Sequence, residues 1–97
     1  MKGEGSCKVP GGKLVRVRVE YGRTIEEVTI TGDFFLHPEE GIGALEESLR
    51  GMEIGAGEEV MTAAVRRAAE AGGLVLVGIT PEGIAKAVRE ALRCAGG

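Results

Sequence analysis

The chain has no tryptophan, no asparagine and no glutamine, and its only aspartate is Asp33. Three aromatic residues, Tyr21, Phe34 and Phe35, serve all 97 positions. Reactive side chains are equally scarce: one histidine, His37, and two cysteines, Cys7 and Cys94. Each shortage argues against a class of chemistry. Two cysteines near opposite ends, with no Cys-x-x-Cys and no Cys/His cluster, do not make a metal site. A lone histidine beside Pro38 reads as a loop or cap residue, since no Ser/His/Asp set or Cys/His pair stands out. No apolar run nears the roughly 18 residues of a membrane span. The start, MKGEGSCKVPGG, has no apolar segment of a secretory signal, so the cytoplasm is the expected location. Loss of thermolabile amides, with glutamate and arginine carrying most of the charge, fits a thermophile. Intracellular disulfides are less unusual there, which leaves a Cys7–Cys94 bond open.

What is present is a folding composition. An apolar fraction of 43% in 97 residues predicts one domain with a modest core. The net charge of −3 argues against nucleic acid as a partner. The charge is uneven, however. Residues 1–23 carry six basic side chains (Lys2, Lys8, Lys13, Arg16, Arg18 and Arg23) against Glu4 and Glu20, whereas the rest carries six basic against thirteen acidic. The basic end is either an ordinary solvated strand face or a surface for a phosphate or an acidic partner.

Residues 1–12 are glycine-rich and read as a loose arm. Lys13–Glu20 then alternates, with Val15, Val17 and Val19 on one face and Arg16, Arg18 and Glu20 on the other, which predicts a half-buried strand. Tyr21-Gly22-Arg23 supplies a turn in which Gly22 is free to take a positive φ. Thr24–Gly32 returns as a second strand. Ile25 is out of step with Val28 and Ile30, so a bulge or a longer turn is expected there. Phe34–Leu36 is a short extended piece. Pro38 stands at a first helical position, with Glu39 and Glu40 in the first turn, Ile42, Leu45 and Leu49 at helical spacing, and Gly51 as the stop. A second helix is expected from Glu58 to about Ala71, with Val60, Ala64, Val65 and Ala68 buried. Leu74–Val77 is a buried strand or connector. Thr80 and Pro81 then open a last helix with Ile84, Val88 and Leu92 on one face. Strands first and helices after predict an α+β domain, with helices packed on one face of a small, mostly antiparallel sheet.

Neighbouring side chains of extended backbone point to opposite faces. Phe34 and Phe35 therefore send one ring into the core and one outward, unless the chain turns at Asp33 and buries both. The paired carboxylates Glu39/Glu40, Glu46/Glu47 and Glu58/Glu59 read as solvated surface. Gly55-Ala56-Gly57 opens a helix but is followed by Glu58 and Glu59, which would repel an anion. Pro10-Gly11-Gly12-Lys13 is a better candidate, a permissive turn with a lysine at a strand start.

KVPGGKLVRVRVE, followed after one turn by ITGDFFLHPEE and a helix ending in LRG, resembles the C-terminal accessory domain of lipoate–protein ligases. The likeness runs from Lys8 to about Gly51. Without a catalytic domain attached, the chain is similar to the separate small subunit of an archaeal two-component ligase. The resemblance implies a SufE/NifU-like α+β fold and a heterodimer with a catalytic large subunit. That partner would hold ATP, lipoate, the catalytic lysine and, with them, magnesium. The pair would form lipoyl-adenylate (lipoyl-AMP) and pass the lipoyl group to acceptor domains, which this chain meets only indirectly. It further implies that Gly11, Gly12, Lys13, Asp33, Phe34 and Phe35 face the partner or the adenylate, with Lys13 a phosphate-facing or interface charge and one of the two rings a lid or docking contact. Gly32, Pro38, Glu39 and Gly51 would be structural. Two rivals remain: a SufE/NifU-like scaffold handling sulfur or iron–sulfur clusters, and a lipoate acceptor. The acceptor reading requires a lysine at a hairpin tip, and Tyr21-Gly22-Arg23 has none.

Overall fold

The computed structural model describes residues 1–8 and 13–94. Among them are five strands, one short 3-10 turn and three α-helices. The alternating segment forms β2 (Leu14–Tyr21), with Val15, Val17 and Val19 buried and Arg16 and Arg18 exposed. β3 (Ile25–Gly32) pairs with it antiparallel. Ile25 is buried despite its broken parity, because the register shifts at Glu20/Tyr21: Glu20 faces Glu27 while Tyr21 faces Ile25. Glu26 is the extra residue of the bulge. Gly22 does not take the positive φ expected of it; the described glycines that do are Gly32, Gly51, Gly73 and Gly78.

The largest correction concerns the amino-terminal arm. Lys2–Lys8 is not loose but forms β1, which pairs antiparallel with β2 from Lys2 opposite Glu20 to Lys8 opposite Leu14. Gly5 is there because of a helix. A Cβ on Gly5 would collide with the carbonyl of Ala87 and the amide of Ala91, and would come within 2.9 Å of the Glu90 side chain. Glycine lets one backbone approach another closely. The same absence of side chains erases the hydrophobic alternation that marks a strand. Cys7, on the same face as Gly5, packs half-buried against the core as a free thiol, while the side chain of Cys94 lies outside what the structure describes.

The helix that β1 receives is α3 (Pro81–Cys94). Thr80 begins it as expected, its Oγ1 accepting a hydrogen bond from the Gly83 N–H at 3.0 Å. Ile84, Ala85, Ala87, Val88 and Ala91 are fully buried, against β1, β2 and α2. The alanines keep the helix surface low enough for the sheet to come close. α1 (Ile42–Leu49) lies along β3 and buries Leu45 and Leu49. It starts later than expected: Pro38 precedes a 3-10 turn, Glu39–Gly41, in place of a first α-helical turn. Gly41 there is buried where a Cβ would strike the Leu74 side chain.

α2 (Glu58–Ala71) packs mainly on α1 and α3. Its buried stripe is Met61, Thr62, Val65 and Ala69 rather than Val60, Ala64, Val65 and Ala68, and Val60 is exposed. This helix offers two interleaved apolar stripes, and its position between two helices selects the one containing Met61. Glu46 is also misread as mere surface, since its carboxylate accepts the Ile30 N–H at 2.8 Å on the β3 edge. The Gly55–Gly57 loop is held from within by Arg89, whose Nη1 donates to the carbonyls of Ile54 (2.7 Å) and Ala56 (3.1 Å).

β4 (Phe35–His37) and β5 (Val75–Val77) pair with each other and form a separate antiparallel ribbon beside the three-stranded sheet, whose order is β1-β2-β3. The α+β class holds, with helices on the valine face of the sheet.

Two outcomes test this packing. Gly5→Ala is expected to destabilise the protein by about 1–3 kcal/mol through overpacking against α3, whereas Gly22→Ala, with open space around it, changes little; urea denaturation measures both. The Glu82 carboxyl is held below its ordinary 4.5, first by a backbone hydrogen bond within its own residue; partial desolvation opposes this, and Arg66 and then Lys86 add to the lowering. A depressed folded-state value means that stabilisation is present above 4.5 and lost as pH falls through the folded value. Because this side chain is largely exposed, Glu82→Gln should cost only about 0.5 kcal/mol near neutrality, less in high salt, and nothing at strongly acid pH. Thermal melts across pH read the difference.

Candidate docking surface

The β4–β5 ribbon has two faces because its strands alternate. Leu36 turns inward and is buried, opposite half-buried Leu76. Phe35 and His37 turn outward, opposite Val77 and Val75. Phe35 is 70% exposed, Val75 56% and Val77 53%. Single exposed apolar residues are ordinary. Three on one face of a two-stranded ribbon, with Phe35 directly across from Val77, make an unpartnered patch of the kind that docks a protein.

The two rings thus divide. Phe35 points to solvent, while Phe34 precedes the strand and packs half-buried against the core. The alternative in which both are buried is excluded. Gly32, at φ 154°, permits this arrangement: a Cβ there would strike the Leu14 carbonyl and approach the Phe34 ring at 3.1 Å. The Asp33 N–H donates to the Leu14 carbonyl at 3.2 Å, and its side chain is exposed. Phe34 and Phe35, with Ile30, Thr31, Glu39 and Ile42, line an open groove of about 320 Å³.

Lys13 joins this end of the molecule. Its N–H donates to the Gly78 carbonyl at 2.9 Å, which ties the start of β2 to the turn after β5. A Cβ on Gly78 would lie 2.8 Å from Lys13 Cγ and 3.7 Å from Phe34 Cβ, so the lysine stem and the phenylalanine flank that glycine. Lys13, Asp33, Phe34 and Phe35 are therefore brought together, although Lys13 is some twenty residues away in the chain. Gly11 and Gly12 lie outside the described residues. Pro38 and Glu39 sit at the 3-10 turn just beyond β4, and Gly51, at φ 84°, ends α1 at the far side of the domain, where its N–H donates to the Ile25 carbonyl at 2.7 Å.

Sequence reasoning missed Val75 and Val77. In the run Leu74–Val77 every residue is apolar, so periodicity cannot say which side is open. Only the pairing with β4, and the burial of Leu36 opposite Leu76, decide it. Leu36→Ala is expected to cost about 2–4 kcal/mol of stability. Phe35→Ala, on the exposed face, should leave the unfolding free energy within about 0.5 kcal/mol of wild type. Equal losses in chemical denaturation would mean that both side chains are core.

No protein-family profile matches the chain. A curated relative does: lipoate-protein ligase A subunit 2 of Thermoplasma acidophilum is 32% identical over 77 residues, which span 78% of this chain and 77% of that protein. Among solved structures, a chain from an archaeal lipoylation system of Thermoplasma acidophilum, a bi-partite lipoate protein ligase and its E2 lipoyl domain, superposes with a TM-score of 0.67 at 31% identity. The match covers 92% of this chain and 93% of that one. Identity of this size over more than three quarters of both proteins, together with the shared fold, establishes kinship: the chain belongs to the lipoate–protein ligase A subunit 2 family.

Proposed function

We propose that this protein is the small subunit of a bipartite lipoate–protein ligase and that it acts by covering the active centre of a catalytic large subunit. The observation that carries the reading is the 32% identity to a ligase subunit 2 along most of both chains. The ribbon supplies a physical means. Burying Phe35 against a partner is worth on the order of 2 kcal/mol in apolar area, and Val75 and Val77 extend the same contact. ATP, lipoate and magnesium would bind on the large subunit. This chain would be required there for lipoyl-adenylate formation, an acyl activation that leaves a reactive intermediate needing protection from water. Phe35 would act as part of the lid. Lys13, held over Gly78 beside Phe34, would supply a positive charge toward the phosphate or the partner. Acceptor domains would meet the assembled pair rather than this chain alone.

The sulfur-handling scaffold is not favoured. It needs a thiol poised in a cleft, and Cys7 instead packs against the core beneath α3. The acceptor reading gains nothing either, since the Tyr21–Arg23 tip carries no lysine and Tyr21 is buried.

Mixing experiments test the proposal. Lipoyl-adenylate formation from ATP and lipoate should require both the large subunit and this chain. Phe35→Ala should weaken the complex by roughly tenfold in Kd, the equivalent of about 1.4 kcal/mol. Lys13→Ala should slow adenylation in the saturated complex. Full activity of the large subunit alone, or of this chain alone, would refute the proposal.

A further inference from the structure

Among the described residues no helix covers the outer face of the three-stranded sheet, and its side chains are neither uniformly charged nor uniformly paired. Glu4, Ser6, Arg16, Arg18, Thr29 and Thr31 line a shallow hollow of about 470 Å³ on it. The register arranges them in rows across the strands. One row runs Glu4, Arg18, Thr29, and the next Ser6, Arg16, Thr31. Arg18 is neutralised by Glu4, Nε to Oε1 at 2.7 Å, and Lys2 at the far end by Glu20 at 3.4 Å. Arg16 differs. Its cross-strand neighbours are two hydroxyl residues, and among the described residues it has no ion pair. It is an exposed guanidinium flanked by groups that can donate to the same anion. Thr31 also lines the groove of Phe34 and Phe35, so the hollow and the apolar ribbon adjoin.

We propose that this hollow is the electrostatic half of the interface with the catalytic subunit, and that an acidic segment of that subunit places a carboxylate on Arg16 between Ser6 and Thr31. The inference rests on the proposed function and deepens it by naming the chemistry that the partner presents. Charge complementarity selects a protein carboxylate over a polyanion. Glu4, Glu20 and Glu27 share the face with the cations, and the chain as a whole carries a net charge of −3. A uniformly negative chain of phosphates would be repelled by those carboxylates, whereas a protein segment of mixed sign can match the alternation. A guanidinium binds a carboxylate through two parallel hydrogen bonds, and Ser6 and Thr31 can satisfy its remaining lone pairs. The division of labour is physical: the ribbon contributes apolar burial, and the sheet face contributes orientation and rate of encounter.

The test compares Arg16→Glu with Arg67→Glu in binding to the large subunit. Arg67 is exposed on α2, so both variants change net charge equally. Arg16→Glu is expected to melt like wild type, to lower the association rate and affinity about tenfold or more at low salt, and to lose most of that deficit as salt rises. Arg16→Gln should fall between, and Arg67→Glu should stay within about twofold of wild type. Equal behaviour of the two reversals overturns the inference. So does an Arg16→Glu variant that binds normally but raises the KM for ATP in the assembled ligase, since the hollow would then belong to phosphate. If the wild-type chain forms no complex with the large subunit, the proposed function itself fails, a result distinct from either.

Discussion

A backbone meets a backbone where Gly5 of β1 passes under the Ala87–Ala91 turn of α3, and the architecture follows from that contact. Because no side chain stands between them, α3 can lie across β1 and β2 while its small and β-branched residues fill the space above Val15, Val17 and Val19. The helices are then all committed to one side of the sheet. The other side is left to Arg16, Arg18 and the threonines. A larger residue at position 5 would lift the helix and separate the sheet from its cover.

The ribbon of β4 and β5 is a smaller case of the same economy of space. It has only six residues and one inward row, Leu36 with Leu76, so its outward row cannot also be buried within the domain. Phe35, Val75 and Val77 are exposed by geometry rather than by lack of hydrophobicity. Phe34 escapes the alternation because it precedes the strand, and Gly32 allows its ring to lie close to the backbone. Lys13 is drawn to the same end by a single main-chain hydrogen bond to Gly78. An apolar patch and a lysine thus share one end of the protein, beside a sheet face of mixed charge.

Strict alternation from Val15 to Val19, the parity break at Ile25 and the Thr80-Pro81 helix start were enough to read β2, β3 with its bulge, and α3 from the amino-acid order. Each is a local rule: a period of two, a count that fails by one, a hydroxyl ahead of a proline. The GGKLV and GDFF motifs likewise pointed to the family and to Lys13, Phe34 and Phe35 as residues to watch. The tertiary structure alone decided the rest. That Gly5 belongs to a strand depends on a helix some eighty residues away; that Met61 rather than Val60 is buried depends on α1 and α3 flanking α2; that Val75 and Val77 face outward depends on Leu36. Periodicity records which side chains are apolar. It cannot record which of two apolar faces finds a neighbour, or where the absence of a side chain is itself the contact.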